Sequence, residues 1–121
     1  DDGNDATIGD ATWTPFLTTP NYPDYASGAN NVTSAMMRTL ALFFASEHVM
    51  FTVTSLSPLL VAGDPTSITY YKFSDAAKDV IDVRILQGIH FRFADTQARS
   101  QGRRVANHAF KNVLQPLGKE K

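Results

Sequence analysis

Apolar positions recur at three- and four-residue spacing in three stretches of the chain, which predicts three amphipathic helices. The first is expected over residues 30–46, with Val32, Met36, Thr39, Leu40 and Phe43 facing the core and Ala35, Leu42 and Phe44 widening that face. The second puts Ala76, Ala77, Val80, Ile81, Arg84, Ile85 and Gly88 on one stripe. Ser74 is placed to cap it, Asp75 suits its first turn, and the pattern carries to Gln87. The third is expected to start near Asp95 or Thr96 and to face inward through Ala98, Gly102, Val105, Ala106, Ala109, Phe110, Val113 and Leu114. Its small early residues admit a neighbouring helix at close range. Arg99, Arg103 and Lys111 should point to water, and Pro116 and Gly118 end the helix.

Between the first two helices, residues 50–56 and 68–71 are β-branched and aromatic, separated by Pro58, Gly63, Asp64 and Pro65. This reads as a short hairpin or extended insert. Residues 1–12 are acidic, rich in Gly, Asn and Thr, and without periodicity, so a flexible lead-in is expected. Trp13, Pro15, Phe16 and Leu17 are the first residues with apolar surface to bury. Pro15, Pro20 and Pro23 enforce an extended path, predicting a strap laid over the helices.

Candidate chemistry changes this picture at two places. Arg84 falls on the core-facing stripe of the second helix, where a guanidinium needs an anion: an Asp or Glu of its own chain, or a bound ligand. Beyond it, Gly88 relaxes the backbone and His90 follows among Ile89, Phe91 and Phe93. A lone histidine in such company is more often a satisfied core residue than a catalyst. In residues 18–31, TTPNYPDYASGANN, prolines lead into Ser27 and Gly28 at a helix start, where backbone N–H groups can address an anion.

These stretches resemble the superfamily that joins type 2 phosphatidic acid phosphatases, bacterial class A acid phosphatases and vanadium-dependent haloperoxidases. Its pattern is Lys-x6-Arg-Pro, then Pro-Ser-Gly-His, then Ser-Arg-x5-His-x3-Asp. Here Ala26-Ser27-Gly28-Ala29 stands at the second part, and Val83-Arg84 followed by His90 at the third. WTPFLTTPNYPDYASG, FTVTS and FSDAAKDVIDVRILQGIHFRFAD look like the soluble bacterial haloperoxidase-like branch. The chain departs from the pattern in three ways: Ala29 replaces a histidine, Ala94 stands where the aspartate is expected with Asp95 one place late, and no Lys-x6-Arg-Pro occurs.

The resemblance implies an all-α helical bundle of the acid phosphatase and vanadium haloperoxidase type, with the small extended or hairpin insert. Residues 13–117 would form the C-terminal part of such a domain and residues 118–121 a tail. The missing first motif suggests a fragment of a longer protein. By the same resemblance, Arg84 would hold two oxygens of phosphate or vanadate, while the Ser27 hydroxyl and the Gly28 amide add hydrogen bonds. His90 would be the catalytic residue, as the nucleophile in phosphoryl transfer or as the ligand of vanadate, the one cofactor implied. Ala29 sits where the family keeps its acid and base. Loss of such a group typically costs about 10² to 10⁴ in rate, so impaired activity is expected. The alternative is a non-catalytic fragment acting through self-association.

Composition adds bounds. A chain of 121 residues, 43% hydrophobic and 19% charged, fits one globular domain. Its net charge of −1 offers no basic field for nucleic acid, and the arginines and lysines near the C-terminus read as a solvated helix face. Without cysteine there is no disulfide framework and no thiolate metal site. The run LALFF, bounded by Arg38 and Glu47, is too short to span a membrane. If helices are missing, uncovered apolar faces predict a homo-oligomer. The resemblance slightly favours a secreted or periplasmic location. Asp24 and Asp95 are each expected to pair with an arginine, and Arg92 to form a salt bridge away from Arg84.

Overall fold

The structure, a computed structural model, describes residues 3–55, 66–113 and 115. Helix α1 (Gly28–Phe43) is followed by strands β1 (Phe51–Thr54) and β2 (Ser67–Tyr70), then by helices α2 (Phe73–Leu86) and α3 (Arg92–Asn112). The helical bundle and its small insert are therefore as the sequence pattern indicated.

α1 lies chiefly against α3, through the small residues of the latter. Ala94, Ala98, Gly102 and Ala106 are all buried, and a Cβ on Gly102 would overlap the backbone carbonyl of Asn31. Two backbones this close need small groups on both sides. The buried face of α1 is accordingly Asn30, Ser34, Met37 and Ala41, which corrects the expected one. Val32 and Phe43 are 69% and 72% exposed, and Met36 is exposed too. Apolar character alone pointed to the wrong stripe because contact distance, not hydropathy, selected the face. On α3 the same logic leaves Val105, Phe110 and Val113 outside.

The far end of α1 joins an apolar cluster of Met37, Ala41, Phe73, Ala76 and Ala77, flanked by Leu40, Val49, Phe51 and Tyr70. Phe51 stacks on Tyr70 and Phe73 with ring centroids 5.4 and 5.3 Å apart. The antiparallel hairpin, in register Phe51↔Tyr70 to Thr54↔Ser67, is fastened to the bundle through these rings.

Two helix starts differ from expectation. α2 begins at Phe73 with Lys72 as its cap residue, and no side chain caps it, so Ser74 lies inside the first turn. Burial of Phe73 and its N–H bond to the Glu47 carbonyl set that start. α3 begins at Arg92, ahead of Asp95 and Thr96. The N–H of its cap residue Phe91 donates to Asp24 Oδ1 at 3.3 Å, a partner supplied from the strap. Pro58, Gly63, Asp64, Pro65, Leu114, Pro116 and the expected tail at 118–121 lie outside the described residues.

The strap crosses the C-terminal end of α2. Leu17 N–H donates to the Leu86 carbonyl at 3.1 Å and the Thr19 hydroxyl to the Gln87 carbonyl at 2.6 Å. Gly88 takes φ +62°, and a Cβ there would run into the Trp13 ring and Pro15. The strap is held by hydrogen bonds and this close approach rather than by buried aromatics, since Trp13 and Phe16 are 62% and 82% exposed. Residues 3–12 form no helix or strand and carry local turns such as Thr7 N–H to the Asn4 carbonyl.

Candidate functional site

Ser27 is the buried N-cap of α1 and accepts from the Asn30 backbone N–H at 3.3 Å. It also accepts from the Asn30 side-chain amide at 3.1 Å. The same Asn30 Nδ2 donates to Asp95 Oδ1 at 2.7 Å, and that oxygen meets His90 Nδ1 at 2.7 Å. All four residues are buried. Because α3 starts at Arg92, Asp95 sits in its first turn and reaches back to His90, so its displacement by one position does not break the pairing. An ionised carboxylate only accepts, so a neutral His90 carries its hydrogen on Nδ1 and keeps a lone pair on Nε2.

His90 is turned inward while its apolar neighbour Phe91 is 73% exposed and Phe93 is also exposed. The histidine is thus buried and bonded to a carboxylate through Nδ1, as a satisfied core residue would be, while its Nε2 lacks a partner among the described residues. Asp95 pairs with His90 and Asn30, and Asp24 with a backbone amide, so neither pairs with arginine as expected. Arg92 does form its salt bridge, to Asp82 at 3.0 Å on the surface.

Arg84 is half-buried and donates from Nη1 to Gln87 Oε1. Its guanidinium lies 5.2 Å from the centroid of the Tyr22 ring, which also meets the His90 ring edge-on at 5.9 Å. Tyr22 therefore touches both groups. Among the described residues no carboxylate makes an ion pair with Arg84. Its reading as a guanidinium neutralised by its own chain finds no acid to support it among those residues.

Buried polar atoms normally have partners. Among the described residues the side-chain exceptions are Arg84 Nε, His90 Nε2, Asn30 Oδ1 and Asp95 Oδ2, all on residues of this one cluster. An N–H donor and an imidazole lone pair suit a ligand with acceptor oxygens around an electrophilic centre. The two oxygens instead call for N–H or O–H donors, which a fully deprotonated oxyanion lacks. At the start of α1 the first-turn amides have no intrahelical acceptor, and the helix dipole favours negative charge there. Gly28 is exposed and a Cβ on it would meet nothing within 4 Å, so the space over that helix end is open. Ala29 beside it is half-buried and offers no proton.

Away from this cluster, Arg103 and Lys111 are exposed as expected, but Arg99 is half-buried in a cleft with Ser34, Arg38 and Glu47. Among the described residues no three or more His, Asp or Glu side chains converge to hold a metal ion, and no helix is long and apolar enough to cross a membrane. Sequence reasoning missed Tyr22, Gln87 and the bridging role of Asn30. Asn30 stands three residues after the cap, where a side chain reaches back to the cap, and Gln87 lies one turn after Arg84; both were discoverable signals. Tyr22 gave none.

An all-α bundle bringing a capped helix start, an arginine and a carboxylate-paired histidine to one end has the architecture that the motif spacing implied. The chain belongs to the family of the VCPO second helical-bundle domain, which matches residues 1–119. It is similar to the first bacterial vanadium-dependent iodoperoxidase solved as a crystal structure, at 28% identity and TM-score 0.73, over 89% of this chain and 25% of that one. A holo-type bacterial vanadium-dependent chloroperoxidase is similar at 21% identity and TM-score 0.66, over 83% of this chain and 23% of that one, a likeness that shows the fold alone. The chain thus spans about a quarter of the length of the solved structures that it matches. A comparison with curated protein sequences gives no match.

Proposed function

We propose that this chain supplies the anion-binding end of a haloperoxidase-like or phosphatase-like site and takes vanadate or phosphate as its ligand. The observation that carries this reading is the juxtaposition of two unpartnered buried atoms, Arg84 Nε and His90 Nε2, on residues that share contact with Tyr22. In this reading the guanidinium of Arg84 donates to the ligand's oxygens, joined by the Ser27 hydroxyl and the Gly28 amide. Asp95 holds His90 in the tautomer whose Nε2 faces the ligand. Vanadate, when bound, would activate hydrogen peroxide for two-electron oxidation of halide, chemistry that no side chain here provides. Toward a phosphate ester the same nitrogen would attack phosphorus as the P–O bond to the ester oxygen breaks, and that leaving oxygen would need a proton. Ala29 transfers no proton in either case, so turnover by this chain alone is expected to be weak or to need groups from elsewhere.

Calorimetric titration with orthovanadate, beside phosphate, tests the reading in the wild-type chain and in His90→Ala. Vanadate binding by the wild type that weakens at least about tenfold in the variant is expected from loss of the Nε2 lone pair as a ligand. A folded wild type that takes up neither anion overturns it.

A second reading is self-association, favoured by the apolar stripe of Val32, Met36 and Phe43 on the outer side of α1. Sedimentation of the wild type beside Met36→Glu checks it: a dimer lost in the variant supports that reading, and a monomeric wild type removes it.

A further inference from the structure

We propose that Asn30 is a positioning residue that sets the hydrogen-bond polarity of the whole site, making Ser27 a donor and His90 Nε2 a lone pair. The binding part of this inference rests on the oxyanion reading above; the polarity itself does not.

A serine hydroxyl has one hydrogen to give and two lone pairs with which to accept. At Ser27 both acceptor positions are taken by Asn30, through its backbone N–H at 3.3 Å and its side-chain Nδ2 at 3.1 Å. The hydroxyl hydrogen is left over, and among the described residues nothing accepts it. Ser27 is fully buried, so its hydrogen needs an acceptor that the described residues do not provide. An oxyanion over the start of α1 is such an acceptor.

The orientation of the Asn30 amide follows from its other neighbour. Asp95 Oδ1 at 2.7 Å can only accept when ionised, so the NH₂ group and not the carbonyl faces it. One amide hydrogen goes to Ser27 and the other to Asp95. Asp95 Oδ1 then carries two donors, Asn30 Nδ2 and His90 Nδ1, which fixes the rotation of the carboxylate and through it the imidazole tautomer. Asn30 thereby links a cap on α1 to a histidine ahead of α3. Its own place is fixed as well, because it is fully buried and its backbone carbonyl accepts from the Ser34 hydroxyl.

A residue that merely filled space would cost stability when removed and leave binding by the folded protein unchanged. The test therefore combines anion titration with nitrogen-15 NMR of the histidine side chains, on the wild type, Asn30→Ala, Ser27→Ala and the double variant. The two single variants are each expected to lower vanadate affinity about tenfold, as loss of a hydrogen bond to a charged group does. If Asn30 acts through Ser27, the double variant falls well short of the roughly hundredfold loss that independent effects would give. In the ligand-free wild type His90 should hold one tautomer, hydrogen on Nδ1, and Asn30→Ala should populate both.

Full additivity, or an Asn30→Ala chain that binds vanadate as the wild type does with its His90 tautomer unchanged, overturns the inference. A wild type that binds no anion while the tautomer still responds to Asn30→Ala overturns the oxyanion reading and upholds the polarity. Should Asn30→Ala fail to fold, the wild type decides: both Asn30 side-chain amide hydrogens are expected to exchange slowly with solvent, and fast exchange of either sinks the proposal.

Discussion

The two halves of α1 are buried against the same bundle in opposite ways. Its first half contributes Ser27, Asn30 and Ser34, each tied by hydrogen bonds whose directions are specified. Its second half contributes Met37 and Ala41 to a cluster of rings and methyl groups. The apolar end is satisfied by volume and shape, and nothing in it lacks a partner. The polar end satisfies only part of its hydrogen-bonding capacity and keeps atoms unpaired. One helix thus divides its length between apolar packing and a polar cluster, and on the oxyanion reading stability and anion binding are expected to respond to different substitutions.

Phe73→Ala should separate the two most strongly. Phe73 is buried and stacks on Phe51, so its truncation is expected to cost about 3–5 kcal/mol in urea unfolding. Vanadate affinity of the fraction still folded should hold, because the ring that meets both His90 and Arg84 is that of Tyr22, in the strap and outside that cluster. A proportional loss of affinity in folded protein would show that the two ends are one cooperative unit.

Gly88→Ala sharpens the comparison from the other side. An alanine at φ +62° is strained by roughly 1–2 kcal/mol, and its Cβ would also push on Trp13 and Pro15. Those contacts hold the strap that carries Tyr22 and Asp24 to the polar end. A modest fall in the urea midpoint with a clear fall in anion affinity is the expected result, the reverse of Phe73→Ala.

The smallest effect lies at alkaline pH in the apolar end. Burial, and then the Asp79 carboxylate that accepts its hydroxyl at 3.0 Å, hold Tyr70 above its ordinary pKa of 10.0. The folded state therefore favours the neutral phenol. That contribution is fully present below the unfolded value, about 10, and is lost as pH rises through the folded one. Urea midpoints taken across this range should fall slightly in the wild type, and Tyr70→Phe should remove that part of the slope.

Which parts were legible in the sequence follows from the range of the interactions. The periodicities of α2 and α3 marked real helices, and the β-branched runs gave the hairpin, because local pattern and local structure coincide there. Arg84 stood out from its place on the α2 stripe, and His90 and Ser27 from the motif resemblance within their own stretches. The buried face of α1 was not, because Gly102 on a distant helix decides how close the two backbones come. The start of α3 was equally hidden, since the partner of the Phe91 amide is Asp24, 67 positions earlier. Asp95 looked one place late against the motif spacing, and the start of α3 at Arg92, which lets it reach back to His90, was not visible in the sequence.

The hydrogen bond from Asn30 to Asp95 spans 65 positions, and that from Thr19 to Gln87 spans 68. Contacts of such reach close after local ones, because a long loop must be ordered before they form. During synthesis Ser27 and Asn30 leave the ribosome well before Asp95 exists, so a nascent chain holding α1 and α2 alone has no such pocket. On the oxyanion reading, capture of an anion would then act as a clock, marking the moment at which the third helix has docked.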